Sequence, residues 1–231
     1  GTLRPGDTRS TTWTTRWVTE GVKFWEVSAS SDNWDDGILE IQAAIYVDGS
    51  LPTTATNLHS TTHTEGVWSN NPTITYAWTA ASDPLSGLDG YGISTDPVVT
   101  RPGEVKDIEQ VTSHTETLTS GTWHFNLRSV DNCGNWAIAF TSAGPFQIDT
   151  LAPLGPSALH STTHTPGVPT LRQDLTVEWN PATDALSGLA GYLVVVNALP
   201  VYQPIGTPSL PPEATSYTTT VEASDSALYV H

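Results

Sequence analysis

The sequence predicts an all-β protein built from tandem antiparallel β-sandwiches. Threonine, a β-branched residue that favours pleated sheets, occurs 36 times in the 231 residues. The 17 prolines and 18 glycines divide the chain into short segments bounded by turns. One stretch of sequence also recurs at an offset of 101 residues, and that period is the size of a sandwich domain.

The internal repeat sets the predicted domain organisation. Residues 58–91 and 159–192 align without a gap and are identical at 19 of 34 positions. The same register extends upstream, where Asp48 matches Asp149. The predicted units are 1–47, the last strands of a partial sandwich; 48–148, a complete sandwich; and 149–231, the first strands of a further, truncated sandwich.

Alternating apolar residues place the strands of the complete unit in order. A first strand is predicted through 58–62. A second is predicted over 74–78, where Ile74, Tyr76 and Trp78 share one face. The remaining predicted segments are a turn at 83–87, strands at 88–93, 111–118 and 123–127, a turn at 131–135, and a last strand ending at 146–148.

The two ends of the chain are predicted to be complementary parts of a sandwich. Residues 18–29 resemble 118–129, and residues 38–47 match the last strand of the complete unit. Residues 226–231 align with 120–125, so the third unit stops at the start of its sixth strand. Two hypotheses stay open. Either the chain is a window from a longer array, or the N-terminal strands of one copy complete the third unit of the next by β-augmentation.

Three motifs allow the unit to be compared with a known family. They are Trp78, the stretch Asp83-x-x-Ser86-Gly87-Leu88-x-Gly90-Tyr91, and the stretch Trp123-x-Phe125-x-Leu127-x-x-x-Asp131-x-x-Gly134-Asn135. A unit with these motifs resembles the immunoglobulin-like and fibronectin type III repeats of bacterial surface and secreted proteins. It departs from them at Trp123, where the family more often has Tyr, and at Cys133, where Ala is usual.

Charge and composition exclude several classes of function. The chain has 24 acidic and 8 basic residues, for a net charge of −16. Nucleic acid and anionic membranes are therefore not expected as partners, because they bind clustered Lys and Arg. No apolar run approaches the ~20 residues of a membrane span. No catalytic motif is present, so we expect no enzyme activity. The abundant Thr and scarce Lys favour an extracellular or cell-surface protein.

Acidic residues at the predicted domain ends are candidates for calcium ligands. Calcium takes six to eight oxygen ligands, and an ion at a junction would stiffen it. Other acidic residues in Gly-containing turns, such as Asp83, are predicted to bond to their own backbone instead. The calcium candidates are Asp48, Asp149, Asp131, Asp32 and Asp35.

A repeated His-x-x-x-His motif is not predicted to bind metal. His59 and His63 recur as His160 and His164. Residues four apart on a strand lie ~13 Å from each other at ~3.3 Å per residue, too far to share one ion. These histidines are predicted to pack or to form hydrogen bonds locally.

The aromatic residues fall into two groups. Alternation and the repeat predict structural roles for the first group, and Trp13 and Trp17 form the second. Four residues apart, Trp13 and Trp17 share a strand face, and they either pack against a neighbouring domain or stack on sugar rings. The structural group is Trp78, Tyr91, Trp123, Trp179 and Tyr192.

These observations predict an extracellular structural repeat protein that forms a stalk or a fibre. Its expected partners are copies of itself or adjacent repeats of a longer chain. The sequence specifies no cofactor, and calcium is the candidate that its acidic residues offer. The alternative is an adhesin or a carbohydrate-binding accessory module of a secreted protein, with surface glycans as ligands.

Overall fold

The computed structural model describes residues 21–29, 39–222 and 226–231, with side chains from residue 47 onward. Every regular element in these ranges is a strand, and none of them contains a helix that could cross a membrane. The prediction of an all-β fold is confirmed. The strands are β1 Gly21–Ala29, β2 Leu39–Val47, β3 Thr56–Ser60, β4 Trp68–Ser69, β5 Thr73–Thr79, β6 Leu88–Asp96, β7 Ser113–Thr117, β8 Gly121–Asp131, β9 Thr141–Ile148, β10 Ser157–Ser161, β11 Asp174–Asn180, β12 Val196–Asn197, β13 Ser216–Thr220 and β14 Tyr229–Val230.

Residues 48–148, hereafter the first module, form two facing sheets. One sheet has the order β3-β5-β7 and the other has the order β4-β9-β8-β6. As predicted, alternate residues of β5 are buried. Tyr76 of β5 stacks on Phe125 of β8 with ring centroids 4.0 Å apart. Trp78 meets Tyr91 of β6 edge-on at 5.6 Å. Aromatic contacts between the two sheets therefore make the core of a sandwich.

Residues 149–231, hereafter the second module, repeat one sheet and part of the other. The sheet β10-β11-β13 is antiparallel, and β12 pairs with β14. Leu175, Val177 and Trp179 of β11 are buried as predicted, and the Trp179 ring lies 5.4 Å from that of Tyr192. The chain divides into two compact units, and the second contains residues 66–73 and 117–122 as well as 146–231. The boundary at 148/149 stays a prediction.

The connection after β6 closes the outer edge of that strand. The Tyr91 N–H donates to the Ile108 carbonyl at 2.9 Å. The loop lies so close that a Cβ on Gly90 would be 2.3 Å from the same oxygen. In the second module the Tyr192 N–H donates to the Leu210 carbonyl at 3.0 Å. The same strand edge is therefore occupied in both modules, and it is not available to a further strand.

The register of β14 corrects the alignment of the C-terminal residues. Val196 pairs with Val230, as Thr95 pairs with Phe125 in the first module. Because Val196 lies 101 residues after Thr95, Val230 is the counterpart of Phe125. The sequence alignment assigned that position to His231, one residue too far along the chain.

Candidate functional site

Three carboxylates from distant parts of the first module converge on one place. Asp48 precedes β3, Asp83 opens the turn between β5 and β6, and Asp131 is the last residue of β8. One oxygen from each lies within 4.8 Å of the others. Asp131 is 1% exposed, and the other two are partly buried. We call these three residues the acidic cluster. It brings two of the predicted calcium ligands, Asp48 and Asp131, together with Asp83, which was predicted to bond within its own turn.

Asp48 bridges the start of the module to the turn before β6. Its Oδ1 accepts the Ser50 N–H at 2.9 Å, and its Oδ2 accepts the Ser86 N–H at 2.9 Å. The Ser50 hydroxyl donates to Oδ1 as well. These hydrogen bonds, those from Ser50 above all, favour the ionised form and lower the pKa of Asp48 to about 2.

Asp83 closes its own turn. Its Oδ1 accepts the backbone N–H groups of Ser86 at 2.9 Å and Gly87 at 3.1 Å. Its Oδ2 accepts the Ser50 hydroxyl at 3.2 Å, which connects it to Asp48. The predicted bonding of Asp83 to its own backbone is therefore present, and the residue contacts the linker in addition.

Asp131 is buried because its oxygens are satisfied by donors from the following turn. Its Oδ1 accepts the N–H groups of Cys133 and Asn135, each at 2.8 Å. Its Oδ2 accepts the Asn135 side-chain amide at 2.8 Å, and that amide also donates to the Asp48 carbonyl at 3.2 Å. The acidic cluster therefore connects the linker to two turns.

The chemistry of the acidic cluster is that of hard oxygen donors. Within the described residues, no Lys or Arg forms an ion pair with any of the three carboxylates. Backbone and side-chain N–H groups offset part of the negative charge. An arrangement of this kind can fix two turns to the linker, and its oxygens suit a cation such as calcium.

The second module repeats the linker contact with two carboxylates. Asp149 accepts the Leu151 N–H and the Ser187 N–H, both at 3.0 Å. Asp184 closes the following turn through the Gly188 N–H at 2.9 Å. Hydrogen bonding, chiefly from Ser187, lowers the pKa of Asp149. No third carboxylate joins this pair among the described residues.

Four candidates from the sequence cannot be placed. Asp32 and Asp35, which were calcium candidates, lie outside the described residues. So do Trp13 and Trp17, the candidate sugar-stacking pair. Their roles stay predictions.

The repeated histidines bond locally, as expected. The His59 ring bonds to the Asn57 carbonyl at 2.8 Å, and the His160 ring bonds to the Ala158 carbonyl at 2.9 Å. Asn57 and Ala158 both have positive φ, at 53° and 54°. The register of the first strand shifts at the same place in each module. Each histidine ring is therefore hydrogen-bonded to the carbonyl of a β-bulge residue whose backbone has a left-handed conformation.

Four of the five predicted structural aromatics lie in a core. Trp78, Tyr91, Trp179 and Tyr192 are all at most 8% exposed. Trp123 is only partly buried, because the buried run of β8 begins at Phe125.

Arg128 is a structural residue that the sequence reasoning missed. Its side chain is 5% exposed, and its guanidinium carbon lies 5.3 Å from the centre of the Trp136 ring. Its Nε–H donates to the Ala137 carbonyl at 2.7 Å. Strand alternation places this arginine on the outer face, where charged residues are normally exposed to solvent. The sequence pattern therefore did not predict its burial.

Comparisons with known proteins give limited information. No family model and no curated protein matches the chain. A solved structure described as the central fibronectin-III array of RIM-binding protein is similar, with 18% identity and a TM-score of 0.25. The match covers 79% of this chain and 62% of that one. The assignment of β-sandwich modules follows from the strand order and core of the chain itself, in which β6 and β8 pair antiparallel and the short strand β4 pairs parallel with β9.

Proposed function

We propose that this chain is a stretch of an extracellular structural repeat protein, in which tandem sandwich modules form a stalk or a fibre. The observation that supports this most directly is the repeated linker contact. Asp48 accepts the N–H of Ser86, and 101 residues later Asp149 accepts the N–H of Ser187. Each module thus begins with a residue that is bonded to a turn of that same module.

The linker residues suit a structural role. Thr150 donates its N–H to the Ser120 hydroxyl at 3.0 Å, and the Asp149 N–H donates to the Ser69 carbonyl at 2.9 Å. Prolines at 153 and 156 restrict the backbone that follows. A linker with these bonds and prolines transmits a pulling force better than a flexible Gly/Ser tether.

Force spectroscopy of the whole chain, held by its two ends, tests the structural role. A complete module of about 100 residues would release roughly 33–36 nm when it unfolds, at 3.3–3.6 Å per residue. We expect events of this length, at a force that Asp48→Ala lowers. Extension without such events would overturn the proposal.

Glycan binding separates the structural role from the adhesin alternative. We expect no saturable binding to a glycan array or to insoluble polysaccharides. Saturable binding that disappears in Trp13→Ala or Trp17→Ala would favour the alternative instead. Trp136→Ala is the control because it removes a tryptophan that is not one of the candidate pair. Trp136 lies beside Arg128 in the first module.

Calcium is the cofactor that this proposal includes, with the acidic cluster as its site. Bound calcium would hold Asp48, Asp83 and Asp131 together and reduce the repulsion among them. We expect the melting temperature to be higher in millimolar calcium than in chelator. Asp83→Asn should abolish that difference, whereas Asp184→Asn, the equivalent change in the second module, should preserve it. Equal melting temperatures in calcium and chelator would remove calcium from the proposal.

A further inference from the structure

The loop between β6 and β7 lies on the outer face of the first module and is held there by buried polar residues. The Thr100 N–H donates to the Asn126 side-chain oxygen at 3.4 Å. The Arg128 guanidinium donates to the Glu104 carboxylate at 3.2 Å. Pro102, between these two contacts, is fully buried. The loop is therefore a preorganised surface, of the kind that binding sites use.

Four apolar side chains next to these contacts are exposed to solvent. Glu104 and the Ala137 carbonyl both bind Arg128, so the residues that follow them flank the same side chain. Exposed aliphatic side chains that are rimmed by charged residues are typical of a protein-binding surface. The four are between 55% and 74% exposed and are Val98, Val99, Val105 and Ile138. We call them, together with Arg101 and Glu104, the loop face.

The region of the loop face is close to neutral in a strongly acidic chain. The whole chain has 8 basic and 24 acidic residues. Of the four Lys and Arg side chains that the structure describes, only Arg172 lies outside this region. Two copies that repel each other elsewhere can therefore approach each other here. Residues 97–109 and 128 contain equal numbers of each sign, namely Arg101, Lys106 and Arg128 against Glu104, Asp107 and Glu109.

Arg101 and Glu104 both have unused hydrogen-bonding capacity. Arg101 is exposed and has no hydrogen-bond or ion-pair partner in the described part of the chain, whereas Lys106, Arg128 and Arg172 all pair with carboxylates. The Glu104 side chain is 67% exposed, and of its two oxygens only Oε1 accepts a bond from a described residue. A guanidinium and a carboxylate suit each other as bidentate partners. The loop face thus carries both halves of an ion pair that it does not form by itself.

We propose that the loop face binds the loop face of a second copy of this chain about a twofold axis, with Arg101 of each copy paired to Glu104 of the other. A twofold contact requires one self-complementary surface, and a surface that carries both charges meets this requirement. The exposed aliphatic side chains would then lose contact with water at the centre. The inference goes beyond the proposed function, because it concerns the pairing of two copies and holds for a stalk and for an adhesin alike.

The composition of the loop face favours a second copy over other occupants. An acidic protein or an acidic polysaccharide would pair with Arg101 but would repel Glu104. A sugar would also lack a stacking platform, since none of the six residues of the loop face is aromatic. A second copy offers a cation to Glu104, an anion to Arg101 and aliphatic side chains to the valines.

Sedimentation equilibrium of the full chain tests the inference. We expect the average mass to rise with concentration from 24.7 kDa toward twice that value. Arg101→Glu and Glu104→Arg should each prevent the rise, because each variant places like charges opposite one another. An equal mixture of the two variants should form a heterodimer, since one chain then supplies two acidic groups and the other two basic groups.

Three results of this experiment would overturn the inference. The first is a mass of one chain at all concentrations up to about 1 mM. The second is a rise in mass that neither variant changes, because the contact would then lie elsewhere. The third is a mixture of the two variants that forms no heterodimer.

A matched pair of valine substitutions tests the same surface without changing Arg101 or Glu104. Val99 and Val67 are both 55% exposed, but Val67 lies beside β4, at the opposite edge of the sheet from β6. Val99→Asp should weaken dimerisation by about tenfold or more, whereas Val67→Asp should leave it unchanged. Equal effects of the two substitutions would contradict the inference.

The proposed function and this inference fail separately. A chain that stays monomeric but unfolds module by module under force would keep the structural role and lose the contact between loop faces. A chain that dimerises through the loop face but releases no module-length extension under force would keep the contact and lose the structural role.

Discussion

The hydroxyl of Tyr91 accepts a hydrogen bond from the backbone N–H of Ala81 at 3.0 Å, in the core of the first module. The second module repeats this bond between Tyr192 and Ala182 at 2.8 Å. Each tyrosine thus ties the chain after β5 or β11 to the facing sheet. A buried backbone N–H rarely stays unpaired, which explains why the repeat keeps tyrosine rather than phenylalanine at this position.

Loss of the Tyr91 hydroxyl should destabilise the first module. Tyr91→Phe leaves the Ala81 N–H buried without a partner, and the free energy of unfolding should fall by about 1–3 kcal/mol. Tyr202→Phe is the control, since Tyr202 is 39% exposed, and it should change stability very little. Urea denaturation followed by tryptophan fluorescence measures both. Equal effects would show that the buried hydrogen bond is unimportant.

Acid should weaken the linker contact over a defined pH range. The pKa of Asp48 is about 2 in the folded chain and ordinarily 3.8. Its contribution is therefore complete above about pH 4 and is lost as the pH falls through about 2. Asp48→Asn should make stability less dependent on pH in that interval. Chemical denaturation at pH 7, 4, 3 and 2 provides the comparison, and parallel curves for parent and variant would refute the prediction.

A methyl group at Gly90 should disrupt the closed edge of β6. The Cβ of Gly90→Ala would lie 2.3 Å from the Ile108 carbonyl, so the loop must shift. We expect a loss of about 1–3 kcal/mol, as for other overpacked sites. Gly103→Ala is the matched control because nothing lies within 4 Å of its Cβ. Melting by circular dichroism distinguishes the two, and a fully stable Gly90→Ala would count against the loop position.

Arg128 should be far less replaceable than an exposed arginine. Lysine cannot reproduce both the bond to the Ala137 carbonyl and the stacking on Trp136. Arg128→Lys should therefore lower stability by about 1–3 kcal/mol. Arg172→Lys alters an exposed pair with Asp174 and should cost at most about 1 kcal/mol. Denaturation midpoints of the two variants, measured side by side, check this; a larger effect at Arg172 would contradict the prediction.

Strands with one buried face were predictable, whereas contacts made by loops were not. The alternation of Ile74, Tyr76 and Trp78 specified β5 because every second residue faces the core. The convergence of Asp48, Asp83 and Asp131 spans 83 residues and depends on where three connections end. The periodicity of neighbouring residues does not predict contacts between residues so far apart in the chain. The repeat offered one clue, since acids recur at 149 and 184.

The sequence also did not predict that residues on the outer face of β8 are buried. Asn126 and Arg128 are buried there, at 0% and 4% exposure. The Asn126 side-chain oxygen accepts the Thr100 N–H at 3.4 Å, and Trp136 lies against the guanidinium. Strand alternation assigns these positions to solvent, and only the path of the neighbouring loops reverses that assignment.

The closed edge at Tyr91 and Tyr192 has a consequence for how a repeat protein is made. Two modules with 19 identities in 34 aligned residues emerge from the ribosome in succession. An incomplete module could then recruit a strand from its homologous neighbour, a known failure of multidomain chains. Because each loop pairs with its own strand from within the same module, it blocks that edge before the next copy is synthesised. The loop therefore acts as a local safeguard against cross-pairing between homologous neighbours.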